Sequence, residues 1–390
     1  MSRQQTKGRV HWLGAGLSSV PGIRRLAQVA LSLHLWNRTL EKAQQALADL
    51  DSEASVHAFD MEELAAQLKR GDIVVSMLPG DWHLRIAGLC LEKNAHFVSS
   101  SYISEEMRAL DKTAKQKDLC LVNEVGLDPG LDHLMAHALV AQYQAAAEYS
   151  AKNQLYFRSY CGGFPSQANE FRYKFSWSPL GVLRALKTPS RSIQNGEVID
   201  VARPWQAISM YQAKLPEGRT ESFEAYPNRD AVPFMQDYGF QPEWSVQEFV
   251  RGTLRLDGWA KAWQDIFSKI DNLDNTGGQA VLEEMSAELW QRYAYAEGEA
   301  DRVVLCVELE AREGEQPAWH RSYSIDARGN DQGSAMARLV SLTVSLAVDS
   351  LAEGKIEAGV SAAPNDTQLI QQWFSTLENL GERIELIISE

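Results

Sequence analysis

Residues 8–22 read GRVHWLGAGLSSVPG. An apolar run ends at Gly14 and Gly16, and a segment able to form a helix follows. Glycines at these two places permit a tight turn and let a pyrophosphate approach a helix amino terminus closely. The third glycine of the GxGxxG pattern is replaced by Ser19. Alone the pattern is weak, because many glycine turns after strands bind nothing. Its context gives it weight. The runs LSLHLW, SVHAF, DIVVSML, AHFVS and LCLVN come next, separated by amphipathic text such as TLEKAQQALADL and EEMRALDKTAKQK. That alternation belongs to βαβ units. It predicts an α/β domain, a doubly wound Rossmann-type parallel sheet of about six strands with helices on both faces.

The end of the second strand discriminates between dinucleotides. An NAD site usually carries an acidic residue about 20 positions after the glycines, to bind the ribose hydroxyls. Here the text is LWNRT. Arg38 is positioned to hold a 2′-phosphate, with Asn37 and Thr39 as further polar contacts, so NADP is the expected cofactor. The competing use of Arg38 is as a solvated residue at a helix start.

Three later stretches fall at the ends of successive strands and are expected to line one crevice: SMLPGDWH (76–83), VSSSYIS (98–104) and NEVGLDPGLDH (123–133). Open α/β sheets bind their ligands at such ends. After a helix at about 131–147 the pattern changes. NQLYFRSYCGG and RYKFSWS look like longer strands, while WAKAWQDIFSKIDNL and GGQAVLEEMSAELWQRYAYAE have helical periodicity. DRVVLCVELEA and AWHRSYSIDARG read as strands joined by the turn REGEQP. SAMARLVSLTVSLAVDSLA is apolar nearly all round and is expected to be a buried helix. The expected organisation is an NADP-binding domain over 1–133, completed by a C-terminal segment 334–390. A substrate-binding α+β domain covers 134–333, with a helical part near 255–300.

The chain has 390 residues, enough for two or three domains. Its 45% hydrophobic and 23% charged residues are ordinary for a globular protein. A formal charge of −14 offers no basic field for phosphates, so no nucleic-acid partner and no anionic membrane surface is expected. The amino terminus lacks the apolar core of a secretory signal, which makes the cytoplasm the expected location. Cys90, Cys120, Cys161 and Cys306 lack CxxC spacing. They are read as reduced thiols, with neither a disulfide framework nor a metal site. A homodimer is the expected assembly.

Taken in order, GAGLSSVP, NRT, SSSYIS, NEVGLDPGLDH, SYCGGFP, YKFSWSPLGVL, AYPNRD, RGTLR and GSAMARLV resemble the saccharopine reductase family, the NADP-linked, glutamate-forming saccharopine dehydrogenases. The matches cover nearly the whole chain. The resemblance implies an NADP-dependent oxidoreductase that reduces the imine of 2-aminoadipate semialdehyde and glutamate to saccharopine, or runs in reverse. It implies cofactor contacts at Gly14, Ala15, Gly16, Leu17, Asn37, Arg38, Thr39, Asp60, Ser100, Ser101, Leu127, Asp128, Pro129 and Ser176. Substrate contacts are implied at Ser101, Tyr102, Asp128, Arg229, Thr253, Leu254 and Arg255. Saccharopine carries three carboxylates, and arginine's planar fork suits carboxylates. Asp128 and Cys161 are the implied catalytic residues, for proton traffic while water enters or leaves the carbinolamine. Helix capping, the common structural use of Asp, is assigned to Asp132. Cys161 has two open readings, a reactive thiol near the cofactor or a small packed residue.

The chain departs from the family pattern at the short SQANEFR loop, residues 166–172, and at Leu180, where the family often has arginine. Such loops shape substrate pockets. An imine reductase of another carboxyalkyl amine, such as carboxynorspermidine, is therefore the second reading. A non-catalytic NADP-binding regulatory protein is the third.

Overall fold

The computed structural model describes residues 8–29, 32–273 and 278–389. Residues 1–7, read above as lacking a leader, and the first residues of LSLHLW and GGQAVLEEMS lie outside them. The chain divides into two compact units, residues up to 134 with 331–377, and 135–330 with the segment from 378 onward.

In the first unit strands and helices alternate: β1 (Val10–Leu13), α1 (Val20–Gln28), β2 (Leu33–Asn37), α2 (Leu40–Leu47), β3 (Ser55–Ala58), α3 (Met61–Gln67), β4 (Ile73–Ser76), α4 (His83–Lys93), β5 (His96–Ser99), α5 (Glu105–Arg108), α6 (Asp111–Lys117) and β6 (Cys120–Val122). α7 (Leu131–Gln144) follows, and the boundary between units falls inside it. The strands lie in the order β3-β2-β1-β4-β5-β6, every pair parallel. This is the doubly wound order. Strands β1, β4 and β5 are buried along their whole length, as a sheet covered on both faces requires.

The C-terminal text adds α13 (Ala335–Ala352), β15 (Gly359–Ser361) and α14 (Thr367–Asn379) after the elements of the second unit, and β15 extends the sheet beside β6. α13 is long and apolar enough to cross a membrane, but 83% of it is buried inside the protein. Its Ser341, Thr343 and Ser345 hydroxyls donate to main-chain carbonyls of the same helix, so the polar groups inside this apolar helix are satisfied locally. α13 packs on α1 at Gly22, whose N–H donates to Ser341 Oγ at 2.8 Å. A Cβ at Gly22 would stand 2.2 Å from the Ser341 carbonyl oxygen. Gly22→Ala is therefore expected to lower stability by about 1–3 kcal/mol, the range for overpacking. Urea unfolding checks this, and an unchanged midpoint would contradict the packing described.

The second unit contains β7 (Gln154–Pro165), α8 (Pro179–Lys187), β8 (Ser190–Gln194), β9 (Glu197–Val201), β10 (Ser209–Leu215), β11 (Arg219–Pro227), α9 (Phe234–Asp237), β12 (Ser245–Arg255), α10 (Trp259–Ala262), α11 (Gln264–Asp271), α12 (Gly278–Tyr293), β13 (Asp301–Glu313), β14 (Gln316–Arg328) and β16 (Glu385–Ile388). Its mixed sheet runs β10-β11-β12-β7-β13-β14-β16, with β8 and β9 attached to β12. Only β12 and β7 pair in parallel among neighbours on that path.

Three expectations from sequence are corrected. The segment 334–390 does not stay with one domain, because β16 pairs antiparallel with the edge strand β14, from Ser324 opposite Glu385 to Arg321 opposite Ile388. The joint within REGEQP is shorter than expected, since β13 and β14 stay paired up to Glu313 opposite Gln316, across a bulge between Ala311 and Arg312. RYKFSWS is not a strand. Arg172 adopts φ +56, and Phe171, Tyr173 and Phe175 instead pack among Trp259, Trp263, Leu282 and Leu289 in a cluster built largely by helices. The alternating aromatics there serve that cluster, and Phe175 makes only an isolated bridge to Ala294.

Candidate active site

The cofactor end is built by β1, β2 and the turn between β1 and α1. Gly14 turns the chain with φ +99, a backbone conformation that glycine adopts freely. Ala15 N–H donates to Asn37 Oδ1 at 3.0 Å, and Asn37 Nδ2 donates to the Thr39 carbonyl at 2.8 Å. Asn37 thus ties the glycine turn to the end of β2. A Cβ on Gly16 would meet no protein atom within 4 Å, so packing does not require glycine there. A glycine at this place in such folds lets a pyrophosphate approach closely. Leu17 is exposed beside it, and Ser19 is buried at the start of α1 without making a side-chain cap. Arg38 is exposed directly after β2, where a 2′-phosphate is recognised. These residues fit NADP. Asp60 has a local use, because its carboxylate accepts the Glu62 and Glu63 N–H groups and caps α3.

The reacting end is built by the carboxyl ends of β4, β5 and β6. Tyr102 hydroxyl donates to Asp128 Oδ1 at 3.1 Å, and both side chains are half-buried. Ser101 Oγ lies 2.8 Å from His83 Nε2, whose Nδ1 is 3.0 Å from Ser76 Oγ. Burial lowers the His83 pKa to about 4, with Asp81 pulling it upward. Glu124 supports the same segment from below. It is buried with φ +54, its N–H donates to the Ser101 carbonyl, and Oε1 accepts the Ile103 N–H at 2.8 Å. Its other oxygen is 3.0 Å from His133 Nε2.

The GLDPG corner closes on itself. Gly126 N–H donates to the Pro129 carbonyl at 2.9 Å, and Leu131 N–H donates to the Gly126 carbonyl at 3.0 Å. Gly130 has φ +147, and a Cβ there would come within 2.1 Å of Gly126 O. Leu127 and Pro129 are buried, and Ser100 packs against Gly126, where a Cβ would meet the serine's own at 2.9 Å. Asp132 does not occupy the capping position. It lies inside α7, and Oδ1 accepts the Gly130 N–H at 2.7 Å, which fastens the corner that presents Asp128.

The second unit gathers a separate group. Arg255, at the end of β12, is 6% exposed and lies in an aromatic cage. Its Cζ is 4.9 Å from the Tyr173 ring centroid, 5.2 Å from Trp259 and 5.5 Å from Tyr226. Nη1 donates to the Leu254 carbonyl at 3.0 Å, whereas Nε has no hydrogen-bond partner among the described residues. Glu224, opposite Arg255 across β11 and β12, accepts the Gly258 and Ala260 N–H groups. Burial pushes the Tyr173 and Tyr226 hydroxyls up, and Arg255 acts against it. Cys161 is buried in β7 opposite Thr253 and close enough to Tyr173 to influence its ionisation.

Other residues of this set sit apart. Arg229 is exposed on the turn after β11, with φ +59. The Leu254 side chain belongs to the core with Phe164 and Phe223. Ser176 is buried in the second unit, and its hydroxyl has no partner among the described residues. Sequence reasoning assigned no role to His83, Glu124, Tyr173 or Trp259. His83 closes the quoted SMLPGDWH and Tyr173 opens YKFSWSPLGVL, so both lay in singled-out text, but spacing carried no sign of their partners.

Comparison with known proteins agrees with this architecture. Residues 10–122 match the family model of the saccharopine dehydrogenase NADP binding domain, and residues 126–382 match that of the saccharopine dehydrogenase C-terminal domain. A saccharopine dehydrogenase [NADP(+), L-glutamate-forming] of Pyricularia oryzae is 28% identical over an alignment spanning 90% of this chain and 93% of that protein. The mitochondrial alpha-aminoadipic semialdehyde synthase of Mus musculus is 30% identical over 74% of this chain, but this covers only 31% of that longer protein. The solved apo saccharopine dehydrogenase (L-Glu forming) of Saccharomyces cerevisiae shares the fold, with a TM-score of 0.80 at 24% identity over 98% of this chain and all of that one.

Proposed function

The chain belongs to the saccharopine dehydrogenase family, and from that premise we propose that it interconverts saccharopine with glutamate and 2-aminoadipate semialdehyde. In the reductive direction the glutamate amine adds to the aldehyde carbon, water leaves the carbinolamine, and the iminium carbon accepts a hydride to give saccharopine. NADPH, when bound, supplies that hydride. The residues of this chain bind, orient and move protons.

The observation that carries the proposal is the Tyr102–Asp128 hydrogen bond at the ends of β5 and β6. A carboxylate that shares a phenolic proton is placed to accept a proton from the adding amine and return it to the departing hydroxyl. Hydride transfer itself demands position more than acid–base help, because the protonated imine carbon is already electrophilic. Arg255 supplies a fixed cation for a substrate carboxylate, and its Nε, which makes no hydrogen bond among the described residues, can donate to it. Cys161, buried in its strand opposite Thr253, serves as packing in this scheme.

The test is an assay of NADPH consumption with the semialdehyde and glutamate, set against other aldehyde and amine pairs, with saccharopine and NADP in reverse. Turnover confined to a polyamine pair would reassign the substrate. The cofactor half has its own expected result. NADPH binds far more tightly than NADH, and Arg38→Ala narrows the gap by roughly 1.5–3 kcal/mol, the range for hydrogen bonds to charged groups. Fluorescence titration of both cofactors measures it, and equal affinities in the unaltered protein would refute the role of Arg38.

A further inference from the structure

The imidazole of His83 joins two hydroxyls that lie far apart in sequence, Ser76 at the end of β4 and Ser101 just beyond β5. It is 7% exposed, and the Phe97 ring meets it edge-on at 6.1 Å between centroids. Burial and the amino end of α4, where the residue sits, both disfavour a cation there. A neutral imidazole has one N–H and one lone pair. Bridging two hydroxyls, it must donate to one and accept from the other, which orients the whole chain of hydrogen bonds in one sense.

We propose that His83 is a positioning residue: donating from Nε2 to Ser101 Oγ, it leaves the Ser101 O–H to be given to an oxygen of the bound substrate. This rests on the proposed function, whose substrate is rich in carboxylates, and on the substrate contact at Ser101 that the family resemblance implies. Carboxylate oxygens only accept, so a serine that used its own proton on His83 would meet them lone pair to lone pair. The productive tautomer is therefore Nε2–H, with Nδ1 accepting from Ser76. The Glu124 contacts to the Ser101 carbonyl and the Ile103 N–H hold the backbone of the same segment, so His83 has the hydroxyl alone to orient.

A double-mutant cycle with saccharopine and NADP tests the inference. His83→Ala is expected to lower kcat/KM about tenfold to a hundredfold, the scale of a misplaced contact, with NADPH affinity nearly unchanged and a lower melting temperature from the cavity and the orphaned Ser76 hydroxyl. In a Ser101→Ala background the same change adds nothing further. His83→Gln, whose amide N–H reaches the place of Nε2, recovers most of the activity if the role is positional, while His83→Leu does not. In full-length protein labelled with nitrogen-15 at histidine, the His83 Nε2 resonance is that of a protonated nitrogen and shifts on Ser101→Ala. Independent, additive losses, a bare Nε2 or equal Gln and Leu variants would overturn the inference and leave the proposed function standing. A fully active Ser101→Ala removes the substrate contact and the inference together. Absence of any saccharopine turnover defeats the proposed function, and with it the role claimed for Ser101, whatever the nitrogen spectrum shows.

Discussion

Asp128→Asn is expected to lower kcat by about 10²- to 10⁴-fold, the usual contribution of a placed general acid or base. The substitution is nearly isosteric. Its amide oxygen still accepts the Tyr102 hydroxyl, which now stands at 3.1 Å from Oδ1, so the geometry of the corner is preserved. What is lost is the ability to take up and release a proton. Turnover should fall far more than NADPH affinity or melting temperature, because the backbone of the corner and Asp132 fasten it and the nearly isosteric amide keeps its shape. Steady-state kinetics with saccharopine, set beside cofactor titration, separates the effects. An Asn variant with full turnover would remove Asp128 from proton transfer and leave it as a partner of Tyr102 only.

Arg255→Ala should weaken saccharopine binding by about 2–5 kcal/mol, the cost of removing one partner of a desolvated charge pair. The two arginines implied by the family resemblance separate here. Arg255 is enclosed by three aromatic rings, where screening is weak, whereas Arg229 stands in solvent on its turn. An exposed ion pair is typically worth about 0–1 kcal/mol, so Arg229→Ala should have the smaller effect. Arg255→Lys should fail in part, since an ammonium cannot reproduce the planar fork or lie flat between the rings. Calorimetric titration of saccharopine into the NADP-bound protein reads these differences directly. A melting curve beside it reports the packing lost from the cage. Unchanged affinity in Arg255→Ala would make that arginine a packing element, held by its rings and the Leu254 carbonyl.

The alternation of apolar and amphipathic runs was enough to define the doubly wound half of the protein. Each βα unit announces itself through local periodicity, and the rules for parallel sheets leave few orders to choose from. The glycine turn, Arg38 after β2, and the buried character of α13 are local features of the same kind. Tyr102 and Asp128 stand out as motif residues, yet their 26-residue separation says nothing of contact until β5 and β6 are placed side by side. Tertiary structure alone decided the short strands. β15, with three residues, and β16, with four, have no periodicity to read, and their places follow from the open edges they cover. It alone sent the aromatics of RYKFSWS into a helical cluster, buried Arg255 but not Arg229, and set His83 between two serines. Periodicity records which side of an element turns from water. Which distant group it then meets depends on how the whole chain packs, because burial and hydrogen-bond satisfaction are met jointly by residues far apart in sequence.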